Sequence, residues 1–242
     1  MSIKFYLVGG CVRDEILGHR PSDIDYSVEA ESFDKLKSHL LENKFEIYVE
    51  KPEYGSLKAK CPLTKVVSDY TLCRKDGAYS DCRRPDSIEV SNILEDLSRR
   101  DFTMNAIAKI ENESAKQLYE YFDPFHGIDD INRGLIRCVG SAFDRLTEDP
   151  LRGLRALRFS ITKKFTISVD ILEIISTETF INNFKTLAKE RIQAELQKMF
   201  QCDTIGSIKL LSSLNNEFLE VLFSDAGIWL LPTLKSKGKG KQ

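Results

Sequence analysis

The spacing of apolar residues changes near residue 140, and this change constrains the fold more than any other feature. Before it, apolar and polar residues alternate in short runs, as at Ile3, Phe5 and Leu7, which is the period of a half-buried strand. After it, apolar residues recur three or four positions apart, as at Leu157 and Ile161, which is the period of an amphipathic helix. The sequence therefore predicts an α+β unit with a mixed sheet and helices, followed by an all-α region.

Individual elements can be placed within this outline. We predict strands near residues 3–7, 23–28, 45–49, 57–61 and 66–72, a helix over 11–17 that stops at Gly18, and a second helix capped by Ser32. The polar residues 74–92 predict a mobile loop. Everything after residue 140 is predicted to be helical, up to the last eight residues, which are too polar to fold alone.

The overall charge predicts no particular partner, because the 242 residues include 35 basic and 37 acidic side chains. The stretch 133–164 is different, since eight basic residues there face only Asp144, Glu148 and Asp149. Such a stretch could contact phosphates, although a solvated helix face gives the same pattern.

The cysteines and the hydropathy favour a cytoplasmic protein with no membrane partner. None of the six cysteines has C-x-x-C spacing, so we expect reduced thiols rather than a zinc site. No apolar run is long enough to span a bilayer, and no signal peptide is recognisable. The three histidines fit no metal-ligand pattern, and His126 reads as a loop residue.

The pair Asp23 and Asp25 is the strongest sign of chemistry. On a strand, residues two apart face the same side, and two such carboxylates repel each other unless a cation lies between them. They follow the turn Gly9-Gly10 and the helix that carries Arg13, and backbone N–H groups of a glycine turn can bind phosphate. Neither a dinucleotide fingerprint nor a Walker motif is present. The combination predicts a Mg²⁺ site that holds a nucleoside triphosphate, whereas an exposed polar strand is the structural alternative.

Two further clusters could complete such a site. Asp69 is the candidate for a third carboxylate from a neighbouring strand, and an exposed strand residue is the alternative there. In the run 98–106, Arg99 and Arg100 could clamp phosphates, with Asp101 orienting one of them. The alternative for this run is a helix start with surface arginines.

The third cluster lies at the start of the helical region. Arg152, Arg155 and Arg158 recur every third residue and share one broad helix face, near Asp149. An aspartate beside an arginine offers acceptors and donors that complement the Watson–Crick edge of a base. Asp149 before a proline is equally typical of a helix N-cap, and spacing alone does not decide between the two.

Taken in order, these clusters resemble the class II tRNA nucleotidyltransferases, the bacterial-type CCA-adding enzymes and their sister poly(A) polymerases. Residues 7–14 with 23–25 look like the first motif of the family, and 97–106 look like its ribose-reading motif. Residues 123–129 are similar to its hinge, 148–155 to its nucleotide-selecting motif and 190–196 to the motif that braces the selecting helix. The similarity runs from about residue 5 to residue 200.

The resemblance implies a nucleotidyltransferase head over residues 1–139, a helical neck over 140–201, a short helical body over 202–234 and a disordered basic tail over 235–242. It implies that Asp23 and Asp25 bind Mg²⁺, and that the acceptor is the 3′ end of tRNA. Contacts to the incoming CTP or ATP are implied for Gly10, Arg13, Arg100, Asp149, Arg152, Arg155 and Arg158. In this family the base is read by protein, and Asp149 with Arg152 would do so here.

Several alternatives stay open within and beyond the resemblance. The run 77–86 matches a flexible loop of the family, which favours addition of the terminal adenosine as well as both cytidines. Poly(A) synthesis, CC-only and A-only addition are the other family activities, and an inactive RNA-binding protein with this fold is the alternative of another class. The chain stops near residue 234, where family members usually continue into body and tail domains, so it is expected to be either a compact member or a shortened chain. The oligomeric state is not predicted.

Overall fold

The computed structural model describes residues 3–21, 23–77, 87–111 and 119–225. The strands are β1 (Lys4–Val8), β2 (Asp25–Glu29), β3 (Glu46–Lys51), β4 (Ser56–Lys60), β5 (Val67–Leu72), β6 (Arg74–Asp76), β7 (Ile88–Val90), β8 (Ala108–Glu111), β9 (Tyr119–Phe122), β10 (Leu135–Ile136) and β11 (Thr166–Ile167). The helices are α1 (Gly10–Ile16), α2 (Phe33–Glu42), α3 (Ile93–Ser98), α4 (Gly127–Arg133), α5 (Ala142–Glu148), α6 (Leu151–Lys163), α7 (Val169–Ile175), α8 (Glu178–Phe184), α9 (Lys189–Cys202), α10 (Thr204–Ser212) and α11 (Asn216–Glu220). Short 3₁₀ turns occupy Pro52–Tyr54 and Thr103–Asn105.

A seven-stranded mixed sheet forms the first unit, in the order β3-β4-β5-β2-β1-β8-β9. Strands β2 and β5 pair in parallel, while the other neighbouring pairs of this sheet are antiparallel. The parallel pair brings the beginnings of β2 and β5 to the same edge, with Asp25 directly opposite Asp69. Both carboxylates therefore lie at one end of the sheet and on one face.

The two faces of the sheet have different chemistry because side chains alternate along each strand. One face carries Val28, Tyr70 and Leu72, which are buried beneath Leu36 and Leu40 of α2. Helix α2 begins at the predicted cap, where the Ser32 side chain accepts a hydrogen bond from Lys35 N. The opposite face carries the polar residues of β2 and β5, and α3 packs against it through the contact between Asp96 and Ser27. The polar side chains are therefore grouped on the face that α2 does not cover.

The helices after residue 140 share a core with the sheet unit. Cys11 and Val12 of α1 and Phe102 belong to the same buried cluster as Leu154 of α6 and Met199 of α9. The predicted boundary at residue 139 therefore crosses a continuous apolar core, and it stays a prediction as a domain boundary. The prediction of helix throughout this region is wrong at one place, because β11 pairs in parallel with β10.

Helix α6 packs closely against its neighbours at Gly153. A Cβ atom at this position would lie 2.6 Å from Phe180 Cζ and 3.2 Å from Ile175 Cγ1. We expect Gly153→Ala to lower the free energy of unfolding by about 1–3 kcal/mol, because overpacking outweighs the gain in helix propensity. Urea denaturation would measure this, with Ser160→Ala on the same helix as the control. Equal or higher stability of Gly153→Ala would show that the Phe180 ring relaxes at little cost.

The predicted strands and helices of the sheet unit are confirmed to within two residues at their ends. The predicted loop 74–92 is corrected at both ends, because Arg74–Asp76 and Ile88–Val90 pair as an antiparallel ribbon. Residues 78–86, which carry the family-like loop sequence, lie outside the described residues, as do 226–234 of the predicted body and the predicted tail 235–242. Within the described ranges, no helix has the length and apolar character needed to cross a bilayer.

Candidate active site

The glycine turn after β1 is shaped by the arginine that lies above it. Gly9 has φ of 75°, in the region that favours glycine, and a Cβ atom there would lie 3.0 Å from Arg100 Nη1. Gly10 is the first residue of α1. Gly9 is thus required both for the backbone turn and for the close approach of Arg100.

Arg13 is buried and is the first member of a series of hydrogen-bonded polar side chains. Its Nη1 donates to Asn105 Oδ1 at 2.6 Å, and its Nε donates to Asp14 Oδ1 at 2.8 Å. Asn105 Nδ2 in turn donates to Asp101 Oδ1 at 2.9 Å. Asp101 Oδ2 then accepts two hydrogen bonds from Arg155, at 2.9 and 2.7 Å. This series links α1 in the sheet unit to α6 in the helical region.

The prediction that Asp101 orients Arg99 or Arg100 is therefore wrong. Asp101 holds Arg155, 54 positions away, rather than Arg99 or Arg100. Burial alone would raise the pKa of Asp101, but the charges of Arg155 and Arg152 and the hydrogen bond from Asn105 lower it to about 2. Asp101 is thus a carboxylate with only 11% of its side chain exposed, and it stays ionised.

Arg99 and Arg100 follow the end of α3, so the alternative of a helix start with surface arginines is also wrong. Asp96, whose side chain is fully buried, accepts from Arg99 Nη2 at 2.6 Å and from Arg100 Nη2 at 3.0 Å. Its Oδ2 also accepts from Ser27 Oγ of β2 at 2.7 Å. Burial would raise the pKa of Asp96, but the charges of Arg100 and Arg99 lower it to about 2. Asp96 therefore fixes both arginines to the sheet.

The carboxylates gather at the beginnings of β2 and β5. The strand begins at Asp25 rather than at residue 23, so Asp23 precedes β2 and strand alternation does not fix its direction. Burial raises the pKa of Asp25, the negative charge of Asp69 raises it further and that of Asp23 adds to this. Arg100 and Lys58 oppose these effects. Asp69 itself forms an ion pair with Lys58, with 2.9 Å between Nζ and Oδ2.

A divalent cation suits the chemistry of this donor set. The raised pKa of Asp25 shows that its negative charge is disfavoured beside Asp69 and Asp23, and a cation between such carboxylates would relieve their repulsion. Carboxylate oxygens are also the ligands that Mg²⁺ prefers. Across the part of the chain that the structure describes, no group of three or more His, Cys, Asp or Glu side chains is placed to hold a metal. Asp69, paired with Lys58, does not complete a three-carboxylate group in this arrangement.

Asp149 and Arg152 lie at the junction of α5 and α6. Asp149 Oδ1 accepts from Leu151 N at 3.1 Å, so it supports the start of α6, and its Oδ2 accepts from Arg191 Nη2 of α9 at 2.8 Å. Arg152 Nη1 donates to Glu148 Oε2 at 2.7 Å, and its Nη2 donates to the Arg99 carbonyl oxygen at 3.2 Å. The two residues are joined by a backbone hydrogen bond from Arg152 N to the Asp149 carbonyl oxygen at 2.9 Å, and each side chain is held by different partners.

Arg155 and Arg158 are braced by α9. Glu195 forms an ion pair with Arg155 at 3.7 Å and a short hydrogen bond with Arg158 Nε. The Phe159 ring packs against Arg158, whose guanidinium carbon lies 3.9 Å from the ring centroid. Helix α9 thus contacts α6 through Glu195, and it contacts Asp149, just before α6, through Arg191.

Sequence reasoning gives no individual role to several residues of this site. These are Ser27, Lys58, Asp96, Asn105 and Glu148, whereas Arg191 and Glu195 lie in the segment predicted to brace the helix. Strand alternation from Asp25 indicates Ser27, two positions later on the same face of β2. Lys58 lies opposite Asp69 only through the register of β4 and β5, which alternation within one strand does not give. The partners of Asp149 and Asp101 lie 42 and 54 positions away, and no local spacing indicates such pairs.

A scan against family models finds the Poly A polymerase head domain over residues 5–137. Among curated proteins, the CCA-adding enzyme of Oceanobacillus iheyensis is 40% identical over 197 residues, which cover 81% of this chain and 46% of that enzyme. The CCA-adding enzyme of Leuconostoc mesenteroides is 33% identical over 228 residues, covering 94% of this chain and 51% of the relative. The chain therefore spans about half the length of these relatives.

Solved structures give the same picture of the fold. The Bacillus stearothermophilus CCA-adding enzyme in complex with CTP aligns with a TM-score of 0.70 and 27% identity, over 97% of this chain and 51% of that one. The Thermotoga maritima CCA-adding enzyme complexed with tRNA(CCA) aligns with a TM-score of 0.71 at 24% identity, over 91% and 48% of the two chains, and supports the fold alone. The head with a mixed sheet and the helical region after it match the first half of these enzymes.

Proposed function

Because this chain belongs to the class II family of CCA-adding enzymes that carries the Poly A polymerase head domain, we propose that it adds C, C and A to the 3′ end of tRNA. CTP and ATP are the nucleotide substrates, and pyrophosphate is released. The observation that carries the proposal is the placement of Asp25 beside Asp69, on the strand whose Ser27 contacts Arg100. Carboxylates and an arginine suited to binding phosphate are thus close together on one sheet face.

Asp23 and Asp25 are the residues that would hold Mg²⁺. When bound, the metal supplies a Lewis acid for the triphosphate and for the attacking hydroxyl. In the reaction, the 3′ oxygen of the RNA forms a bond to the α-phosphorus, and the bond from that phosphorus to the bridging oxygen breaks. The hydroxyl proton passes to a carboxylate of this cluster, and the electron pair of the broken bond leaves with pyrophosphate.

The triphosphate is proposed to lie beside the glycine turn and to contact Arg100. The guanidinium of Arg100 already lies above Gly9, and Asp96 holds it from behind with an ionised carboxylate. Gly10 offers a backbone N–H at the start of α1, and Arg13 adds a second positive charge beneath the turn. Charge-assisted contacts of this kind are stronger than neutral hydrogen bonds.

Base selection is proposed for Asp149 and Arg152, with Arg155 and Arg158 on the same helix in support. Asp149 offers acceptor oxygens and Arg152 offers donors, and both are held in place by Arg191 and Glu148. The network through Asp101 and Glu195 keeps Arg155 and Arg158 ordered. A preorganised pair of donor and acceptor loses little side-chain entropy when a base binds.

Incubation of the protein with Mg²⁺, tRNA lacking its terminal CCA and labelled nucleotides tests the proposal. We expect C, C and A to be added in order, after which incorporation stops. Open-ended addition of A would replace the proposal with poly(A) synthesis, and addition of C alone or of A alone on a CC end would identify a split activity. RNA binding without any incorporation would identify an inactive protein of this fold.

We expect Asp149→Ala to reduce the discrimination between CTP and ATP by about 1–3 kcal/mol, the value of one good bidentate base contact. RNA binding should change much less, because Asp149 faces the nucleotide in the proposed complex. Single-turnover incorporation of each nucleotide measures the ratio, and Asp144→Ala on the exposed side of α5 is the control. An unchanged ratio in Asp149→Ala would remove this residue from base selection.

A further inference from the structure

Arg100 and Lys58, the two cations whose charges lower the pKa of Asp25, lie on opposite sides of it. The sheet order places β5 and then β4 on one side of β2, and β1 on the other. Arg100 belongs to the β1 side, since its guanidinium lies above Gly9 and contacts Ser27. Lys58 belongs to β4, on the far side of β5. The polar face therefore has one cation on each side of its carboxylates.

Lys58, Asp69 and Asp25 form a row across three neighbouring strands. Lys58 pairs with Asp69 in the register of β4 and β5, and Asp69 pairs with Asp25 in the register of β5 and β2. Directly opposed residues share a face, so the three side chains lie side by side. The Lys58 side chain is 45% exposed and that of Asp69 is 41% exposed, so an incoming molecule can reach both.

The proposed reaction needs a second substrate on this side. In phosphoryl transfer the attacking and leaving oxygens lie roughly in line, on opposite sides of the phosphorus. The proposed triphosphate contacts, Gly9, Gly10, Arg13 and Arg100, all lie toward β1. Attack must then come from the side of β5 and β4. The RNA backbone brings phosphates there, into a region that already contains three carboxylates.

We propose that Lys58 binds a backbone phosphate near the 3′ end of the acceptor RNA and thereby places the terminal hydroxyl beside Asp69 and Asp25. This inference rests on the proposed function and adds the acceptor subsite to it. The acceptor end shifts by one nucleotide after each addition, so the phosphate bound near it changes position. A lysine is suited to binding such a phosphate because its ammonium group is carried on a flexible side chain. Its pair with Asp69 contributes little to stability, since exposed ion pairs are weak.

The chain supplies a matched control for this lysine. Lys37 of α2 forms an ion pair with Glu50 at 2.8 Å, and the two side chains are 36% and 35% exposed. It resembles the Lys58–Asp69 pair in residue type, distance and exposure. Helix α2 covers the opposite face of the sheet, so Lys37 lies away from the proposed acceptor path. Lys37→Ala therefore removes an equivalent pair without touching the subsite.

The test compares Lys58→Ala, Lys58→Arg and Lys37→Ala in the full chain. We expect Lys58→Ala to raise the KM for tRNA lacking CCA by about tenfold, the effect of losing one charge-assisted phosphate contact, and to leave the KM for CTP within about twofold. The slope of log affinity against log salt should become shallower by about 0.7–0.9, as expected for one lost phosphate contact. Lys58→Arg should retain most of the affinity, and Lys37→Ala should match the parent protein.

Fluorescence anisotropy with labelled tRNA, measured without nucleotide, separates this inference from the proposed function. If the parent protein incorporates no nucleotide, the proposed function fails, while the anisotropy still compares Lys58→Ala with Lys37→Ala. Equal RNA affinity and equal salt slopes in these two variants would overturn the acceptor subsite. A raised KM for CTP at unchanged KM for RNA would also overturn it, because Lys58 would then act on the triphosphate.

Discussion

Asp25→Asn is expected to lower nucleotide incorporation by about a thousandfold or more while the chain stays folded. The substitution removes a ligand of the proposed Mg²⁺ site, and metal stabilisation of the reacting groups is worth several kcal/mol, at about 1.4 kcal/mol for each factor of ten in rate. The amide keeps the size of the carboxylate, so packing beside Asp69 and Ser27 is preserved. Single-turnover incorporation with saturating CTP is the measurement.

The same variant should be at least as stable as the parent protein. Burial and the neighbouring charges of Asp69 and Asp23 raise the pKa of Asp25, which means that its ionised form is a cost to the folded state. A neutral amide removes that cost, so the melting temperature should stay the same or rise. Glu46→Gln, an exposed carboxylate on β3, should alter neither activity nor stability. Incorporation within tenfold of the parent would contradict the role of Asp25 as a metal ligand.

Asp96→Ala is expected to have the largest effect on stability. Removing one partner of a buried charge pair leaves the other uncompensated, which costs about 3–5 kcal/mol. Here Arg100 loses its carboxylate partner, and Ser27 loses its acceptor. Arg99 loses its closer ion pair and keeps its longer one with Asp76 at 3.4 Å. Urea denaturation of this variant beside Glu46→Gln measures the loss. A change below about 1 kcal/mol would show that the arginines find water or other partners easily.

The pH dependence of stability gives a second measure of the same carboxylate. The pKa of Asp96 in the folded protein is about 2, below its usual value of about 3.9 in an unfolded chain. Its stabilising contribution is therefore fully present above about pH 4 and is lost as the pH falls towards 2. Asp101 behaves in the same way. In Asp96→Ala the decline in stability over this acidic range should be less steep than in the parent protein.

Local features of the fold could be predicted from sequence, because local patterns cause them. The Ser32 cap and the strand periods follow from hydrogen bonding and burial within a few residues. The ribbon formed by Arg74–Asp76 and Ile88–Val90 could not be predicted from sequence. Its polar composition predicts a loop, and each residue pairs with one more than ten positions away. Its contact between Asp76 and Arg99 is likewise set by the tertiary fold.

The candidate site likewise has residues that local sequence patterns predict and contacts that only the tertiary fold determines. Residue type and strand context predict Asp25 and Asp69 as carboxylates of neighbouring strands, and the register of β2 and β5 places the two residues opposite each other. The wrong partner for Asp101 has a physical cause. Asp101 directly follows the pair Arg99-Arg100 in sequence, but the turn after α3 directs it to Arg155 on α6. Short-range charge proximity is a poor guide where a helix end redirects the backbone.

The apolar core that joins α1 to α6 and α9 limits how this molecule can be divided or recombined. A fragment ending at residue 139 would lose Leu154 and Met199 from the buried cluster to which Cys11, Val12 and Phe102 belong. We expect such a fragment to aggregate, and the intact chain to melt in a single calorimetric transition. A chimaera made from two relatives would keep its solubility only if the catalytic half and its supporting helices came from the same parent.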